Sequence, residues 1–125
     1  MNLVSAKTQH RLESNHPEAA AELDNLRRVL ESGALDPALL ALCSDYIDAS
    51  LRDVEWAQPG PLSDLESACL ELCEQFMNSV ANISDQQIAA LSRHLSADEV
   101  YNLMYAIYLV EMAKRLDLTL ERVLQ

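Results

Sequence analysis

Three observations predict an all-α fold, a compact bundle of about five or six helices. No stretch alternates apolar and polar residues as a half-buried strand does. Apolar residues recur instead at three- and four-residue steps, as in Leu39, Leu40, Cys43, Ile47, Leu51 and Val54, the period of one face of a helix. Start signals then follow one another along the chain: Asp36 before Pro37, Ser63 with Glu66, Ser84 with Gln87 and Ser96 with Glu99. At 125 residues the chain is one domain in length and buries roughly two-thirds of its unfolded surface without staples.

Residues 1–15 lack a sustained apolar period and read as a flexible N-terminal arm or a short helix, so the single helical domain is expected over 16–125. The first helix follows Asn15 or His16. Pro17 sits in its first turn, where a missing N–H costs nothing, and Gly33 lies just past its end. Leu23, Leu26 and Leu30 form its inward face. Asp36 and Pro37 open a second helix, which should end near Trp56 because Ala57–Pro61 combines two prolines and a glycine. The capping box of Ser63 and Glu66 opens a third helix, with Leu65, Cys69, Leu72, Cys73, Phe76, Met77 and Val80 inward, stopping around Asn82. Ser84 with Gln87 opens a short helix through Ile88, Leu91 and Leu95. Ser96 with Glu99 opens the last and longest helix. After Asp117 the tail LTLERVLQ is expected to form one last turn or a docked strap.

That last helix organises the rest. Val100–Val110 reads VYNLMYAIYLV, with only Asn102 frankly polar. A helix apolar on nearly every side is usually buried on nearly every side. Tyr101, Tyr105, Tyr108 and Met112 share one stripe, Val100, Leu103, Met104 and Ile107 a second, and Asn102, Ala106, Leu109 and Ala113 a third. Three apolar faces imply more than one neighbour, and therefore a homo-oligomer.

Charge excludes several function classes. The net charge is −11, and between Glu31 and Ser92 eleven acidic residues face a single base, Arg52. Affinity for phosphate backbones and acidic membranes comes from clustered Lys and Arg, so neither nucleic acid nor a membrane is an expected partner. The longest apolar run falls short of the ~20 residues that span a bilayer. MNLVSAKTQHRLESNH has no apolar block followed by small residues, and the three cysteines are an odd number. Both point to a cytoplasmic protein.

From Leu62 onward come a capped helix, LSDLESACLELCEQF, the turn NISDQQIAALSRHLSADEV and an apolar helix ending EMAKRL. Over residues 62–117 this order resembles the C-terminal half of the carboxymuconolactone decarboxylase and alkylhydroperoxidase D-like family, with LDP at Leu35–Pro37 as a weaker echo of a helix start. The resemblance implies an alkylhydroperoxidase D-like helical fold that assembles into trimers or hexamers through its helices. Peroxidatic members carry a Cys-x-x-Cys pair with a histidine shortly after it. Here Cys43 is followed three residues later by Tyr46, and no histidine occurs between His16 and His94. The redox chemistry is therefore not carried over.

Candidate chemistry is sparse. Cys69 and Cys73 lie one turn apart, but a disulfide between them is geometrically poor and a metal lacks two further ligands, so no metal or cofactor is expected. On their apolar stripe they read first as small core residues, and otherwise as the thiols of a peroxidase. His94, near the end of the short helix, suits the negative helix end more than catalysis. Glu111 shares the Val100, Met104 and Ile107 stripe, with Arg115 at i+4 and Lys114 at i+3 to relieve it. It reads first as a structural pair and second as a carboxylate lining a pocket. Tyr101, Tyr105 and Tyr108 fit a core or subunit interface first, and a ligand-binding pocket second. The leading expectation is a homo-oligomeric binding or scaffolding protein that holds a small molecule at the tyrosine helix. The alternative is a small non-redox enzyme, decarboxylase- or isomerase-like, with a pocket near Tyr101, Tyr105 and Glu111.

Overall fold

Short polar side chains set where the helices begin. The first N–H groups of a helix have no partner inside it, and a serine or aspartate just ahead supplies one. In a computed structural model, which describes residues 2–33 and 35–123, Asp36 Oδ1 accepts from the Ala38 N–H at 3.0 Å. All three capping boxes close. The Oγ of Ser63, Ser84 and Ser96 accepts from the N–H of Glu66, Gln87 and Glu99 at 3.1, 3.2 and 3.2 Å. The same three acid or amide side chains accept in return from the serine N–H groups at 2.8, 2.9 and 3.0 Å.

The helices so defined are α1 (Ala6–Asn15), α2 (Pro17–Ser32), α3 (Pro37–Leu51), α4 (Asp64–Ser79), α5 (Asp85–Ser92) and α6 (Ala97–Val123), with a 3-10 turn at Val80–Asn82. Among the described residues there is no strand, and no helix is long and apolar enough to cross a membrane. The fold is thus an all-helical bundle. α6 is its axis: α3, α5 and α1 pack on it, α4 packs on α3 and α5, and α2 packs on α1. Ile47, Cys69, Leu72, Cys73, Leu91, Leu103, Ala106, Ile107 and Val110 fill the centre.

Several expectations are corrected. Of the two readings of the N-terminal segment, the structure has the short helix rather than the arm: α1 occupies Ala6–Asn15, and Leu3 and Val4 ahead of it are core residues. What ties this segment down is a carboxylate from the far end of the chain. Asp117, buried on α6, accepts from the Ser5 N–H at 2.9 Å, the Ser5 hydroxyl at 2.9 Å and the Thr8 hydroxyl at 2.6 Å. α3, opened by Asp36 and Pro37, ends at Leu51, short of Trp56. Asp53 takes a left-handed conformation (φ 55°), and the N–H groups of Asp53 and Val54 donate to the carbonyls of Ser50 and Ala49 at 3.3 and 3.0 Å. That is a Schellman ending, and it carries Val54 out to solvent. Val80 is likewise exposed: α4 ends at Ser79, and Val80 is the first residue of the 3-10 turn. The tail continues α6 through Val123, without a separate turn or strap; Leu124 and Gln125 lie outside the described residues.

Candidate functional site

The periodicity of α6 decides which of its apolar side chains the chain can cover by itself. Val100, Leu103, Ala106, Ile107, Leu109, Val110 and Ala113 are buried, so two of the three stripes face the bundle. The third does not. Tyr101 is 71% exposed, Tyr105 41% and Tyr108 50%, and Met112 and Leu116 continue the strip at 40% each. A helix expected to be covered nearly all round is therefore open along one side of a single copy. From α4, Phe76 meets Tyr108 edge to face, with ring centroids 6.4 Å apart. Among the described residues, the clefts at Leu30 and Lys114, at Leu3 and Arg27, at Leu39 and Glu99, and at Tyr46 and Arg115 are not lined by any of the three tyrosines.

The proposed reactive groups are not brought together. The Glu111 side chain is mostly buried and paired with Arg115 one turn on, the favourable order for an ion pair on a helix. Lys114 turns away from Glu111 toward α3, where its Nζ lies 3.7 Å from Asp48 Oδ1. His94 is exposed just after α5, its N–H donating to the Leu91 carbonyl at 3.0 Å.

Cys69 and Cys73 lie in the core, as does Cys43 of α3, and none is in a disulfide. Sequence spacing did not join Cys43 to the other two; only the crossing of α3 on α4 does so. Hydrogen bonding to Cys43 and then burial push the Cys69 thiol far above its ordinary pKa. For Cys43, the bond to Cys69 works toward the thiolate, but the bond to Cys73 and burial outweigh it, and the net shift is strongly upward. Neutral thiols without solvent access are poor nucleophiles. Among the described residues no group of three His, Cys, Asp or Glu is arranged to hold a metal ion.

No protein-family model, curated protein or solved structure matches this chain. Two polar elements that the sequence reading passed over are Asp117, in register with Ala106, Val110 and Ala113, and Ser44, a hydroxyl set among Leu40, Cys43 and Ile47. The signal for each was a lone polar residue on an apolar helical face. Neither makes a local capping pair, which is why the patterns of adjacent residues did not mark them.

Proposed function

We propose that this chain is a cytoplasmic helical scaffold of carboxymuconolactone decarboxylase-like type, without redox cysteines, that works as a homo-oligomer assembled through the tyrosine face of α6. The observation that carries this reading is the unbroken exposed strip Tyr101, Tyr105, Tyr108, Met112 and Leu116. Contiguous apolar patches of this kind on a small domain mark interaction surfaces.

The area is of the right order. If a tyrosine presents roughly 200 Å² when uncovered, the three together leave about 300 Å² of aromatic surface open per copy. Met112, Leu116 and the edge of Phe76 extend it, so a face-to-face pair buries on the order of 1,000 Å², near the lower bound for a specific interface. A two-fold contact is self-complementary. Centred on Tyr108, it sets Tyr101 of one copy against Arg115 of the other, a cation over an aromatic face. Affinity in the micromolar range is expected, because ordering two partners offsets much of the burial term.

Size-exclusion chromatography with light scattering, applied to the intact chain and to Tyr105→Ala at micromolar concentration, tests this. The intact chain should run as a multiple of 13.9 kDa and the variant at 13.9 kDa. Tyr105 is 41% exposed in a single copy, so the substitution removes roughly 100 Å² of intrachain contact and should cost about 1–3 kcal/mol, less than the stability of a domain of this size. An unchanged mass in Tyr105→Ala defeats the assignment of the interface.

A further inference from the structure

Beside the exposed strip of α6, a cleft of about 270 Å³ opens between α3, α4 and Arg115. It is just under the size of sites that take drug-sized ligands, and has room for one ring. Its lining matches a phenol. Leu51 and Met77, both half-buried, offer apolar contact, and a thioether sits well against an aromatic ring. Tyr46, held edge-on by Trp56 at 5.3 Å, offers another ring. The exposed Glu74 carboxylate accepts from the Tyr46 hydroxyl at 3.3 Å, and an ionised carboxylate has acceptor sites for further donors. Arg115, paired with Glu111, closes the side next to the strip. Its flat guanidinium can lie on an aromatic face while keeping that pair. A phenol is neutral, so the acidic character of this surface does not oppose it.

Tyr101 is the side chain placed to enter, and only from another copy. It is the most open of the three tyrosines. The cleft of its own chain, at Arg115, lies about 21 Å further along α6 at 1.5 Å per residue. The antiparallel two-fold contact described above instead brings Tyr101 of one copy level with Arg115 of the other. Such an axis also sets each edge of the strip against the same edge of the partner. At about 100° per residue, Tyr101, Tyr108 and Arg115 fall on one edge. The ring contact of Tyr108 with Phe76 marks it as the edge toward α4, where the cleft opens. Resting on assembly through α6, we infer that this cleft is a phenol site filled by Tyr101 of a second copy, its ring between Leu51, Met77 and Arg115 and its hydroxyl donating to Glu74. Each pair of copies holds two such contacts.

Sedimentation equilibrium of the full chain and its variants tests this. Tyr101→Ala should weaken self-association about 30-fold or more, because it removes the ring from both contacts of a pair. Tyr101→Phe keeps the ring and should weaken it several-fold. Asn78→Trp, at an exposed position on the cleft wall, should act like Tyr101→Ala by filling the space, and Ser50→Trp serves if Asn78→Trp does not fold. An equimolar mixture of Tyr101→Ala and Asn78→Trp separates direct contact from a shared neighbourhood. A mixed pair regains one complete contact, the second variant's Tyr101 in the first variant's open cleft, and should form about fivefold more tightly than either variant's own pair. A chain that stays monomeric at every concentration would end the assembly reading and this one with it. Assembly lost in Tyr105→Ala but unchanged in Tyr101→Ala, or a mixture no tighter than its components, overturns this inference alone. The side-chain mimic p-cresol should give saturable NMR shifts at residues 46–51 and 74–78 in Tyr101→Ala. The same shifts in the assembled intact chain would assign the cleft to a free small phenol and overturn the proposal.

Discussion

The buried carboxylate of Asp117 joins the two ends of the chain, and its removal has a calculable consequence. It accepts three hydrogen bonds, two from Ser5 and one from Thr8, which is itself buried. A hydrogen bond to a charged acceptor contributes about 1.5–3 kcal/mol, and a buried donor left without an acceptor costs about 1–3 kcal/mol. The bonds share one acceptor and do not add, so Asp117→Ala should cost about 3–5 kcal/mol, as breaking a buried charged contact generally does. For a domain of this size that lowers the melting temperature by roughly 10 °C or more. Asp117→Asn keeps one carbonyl oxygen and should cost about half as much. As a contrast, Glu121 on the same helix takes a two-pronged contact from Arg52 at 2.9 and 3.2 Å. That pair is about one-third exposed, and Glu121→Gln should cost less than about 1 kcal/mol. Urea unfolding gives the free energies, and hydrogen exchange locates the damage: α1 amides in Asp117→Ala should lose protection ahead of α3 and α4. A loss below about 0.5 kcal/mol, or unaltered exchange in α1, refutes the reasoning.

The core thiols should stay silent to a thiol reagent such as Ellman's in the native protein, and all three should react once it is unfolded; fast native reaction of Cys69 would revive the peroxidase reading. At Asp53 (φ 55°) Asp53→Val should destabilise by about 1–2 kcal/mol relative to Asp53→Gly, because a branched side chain resists the left-handed conformation; equal urea midpoints would contradict the Schellman ending. The Ser96 N–H and hydroxyl hold the Glu99 carboxyl below its ordinary value of 4.5. A carboxyl depressed in the folded state adds stability that is present above its unfolded pKa and lost as pH falls through the folded one. Glu99→Gln should therefore flatten the acid limb of the stability profile, and an identical limb in the variant would show that this cap does not titrate with folding.

What sequence made legible was local. Ser63, Ser84 and Ser96 each find their partner three residues on, so boundaries set by these boxes could be read from neighbouring letters alone. Long-range contacts could not. Asp117 and Thr8 are 109 residues apart, and without that contact the first fifteen residues look like a tail. The end of α3 is not legible in the period, because apolar residues run on to Val54 while the conformation of a single residue, Asp53, stops the helix. Trp56 reaches the core without a helix, its ring edge-on to Tyr46 at 5.3 Å. At the candidate site the tyrosine stripe of α6 was visible as a stripe, and the pairing of Glu111 with Arg115 was visible as spacing. Which stripe stays uncovered depends on where α3 and α5 pack, and that is tertiary information.

Sedimentation equilibrium of the unmodified chain over a range of micromolar concentrations bears most directly on assembly through α6. The account predicts a mass that rises with concentration to a multiple of 13.9 kDa. It should rise further with added salt, because each copy carries a net charge of −11 that screening relieves. A mass fixed at 13.9 kDa at every concentration and salt level would contradict it.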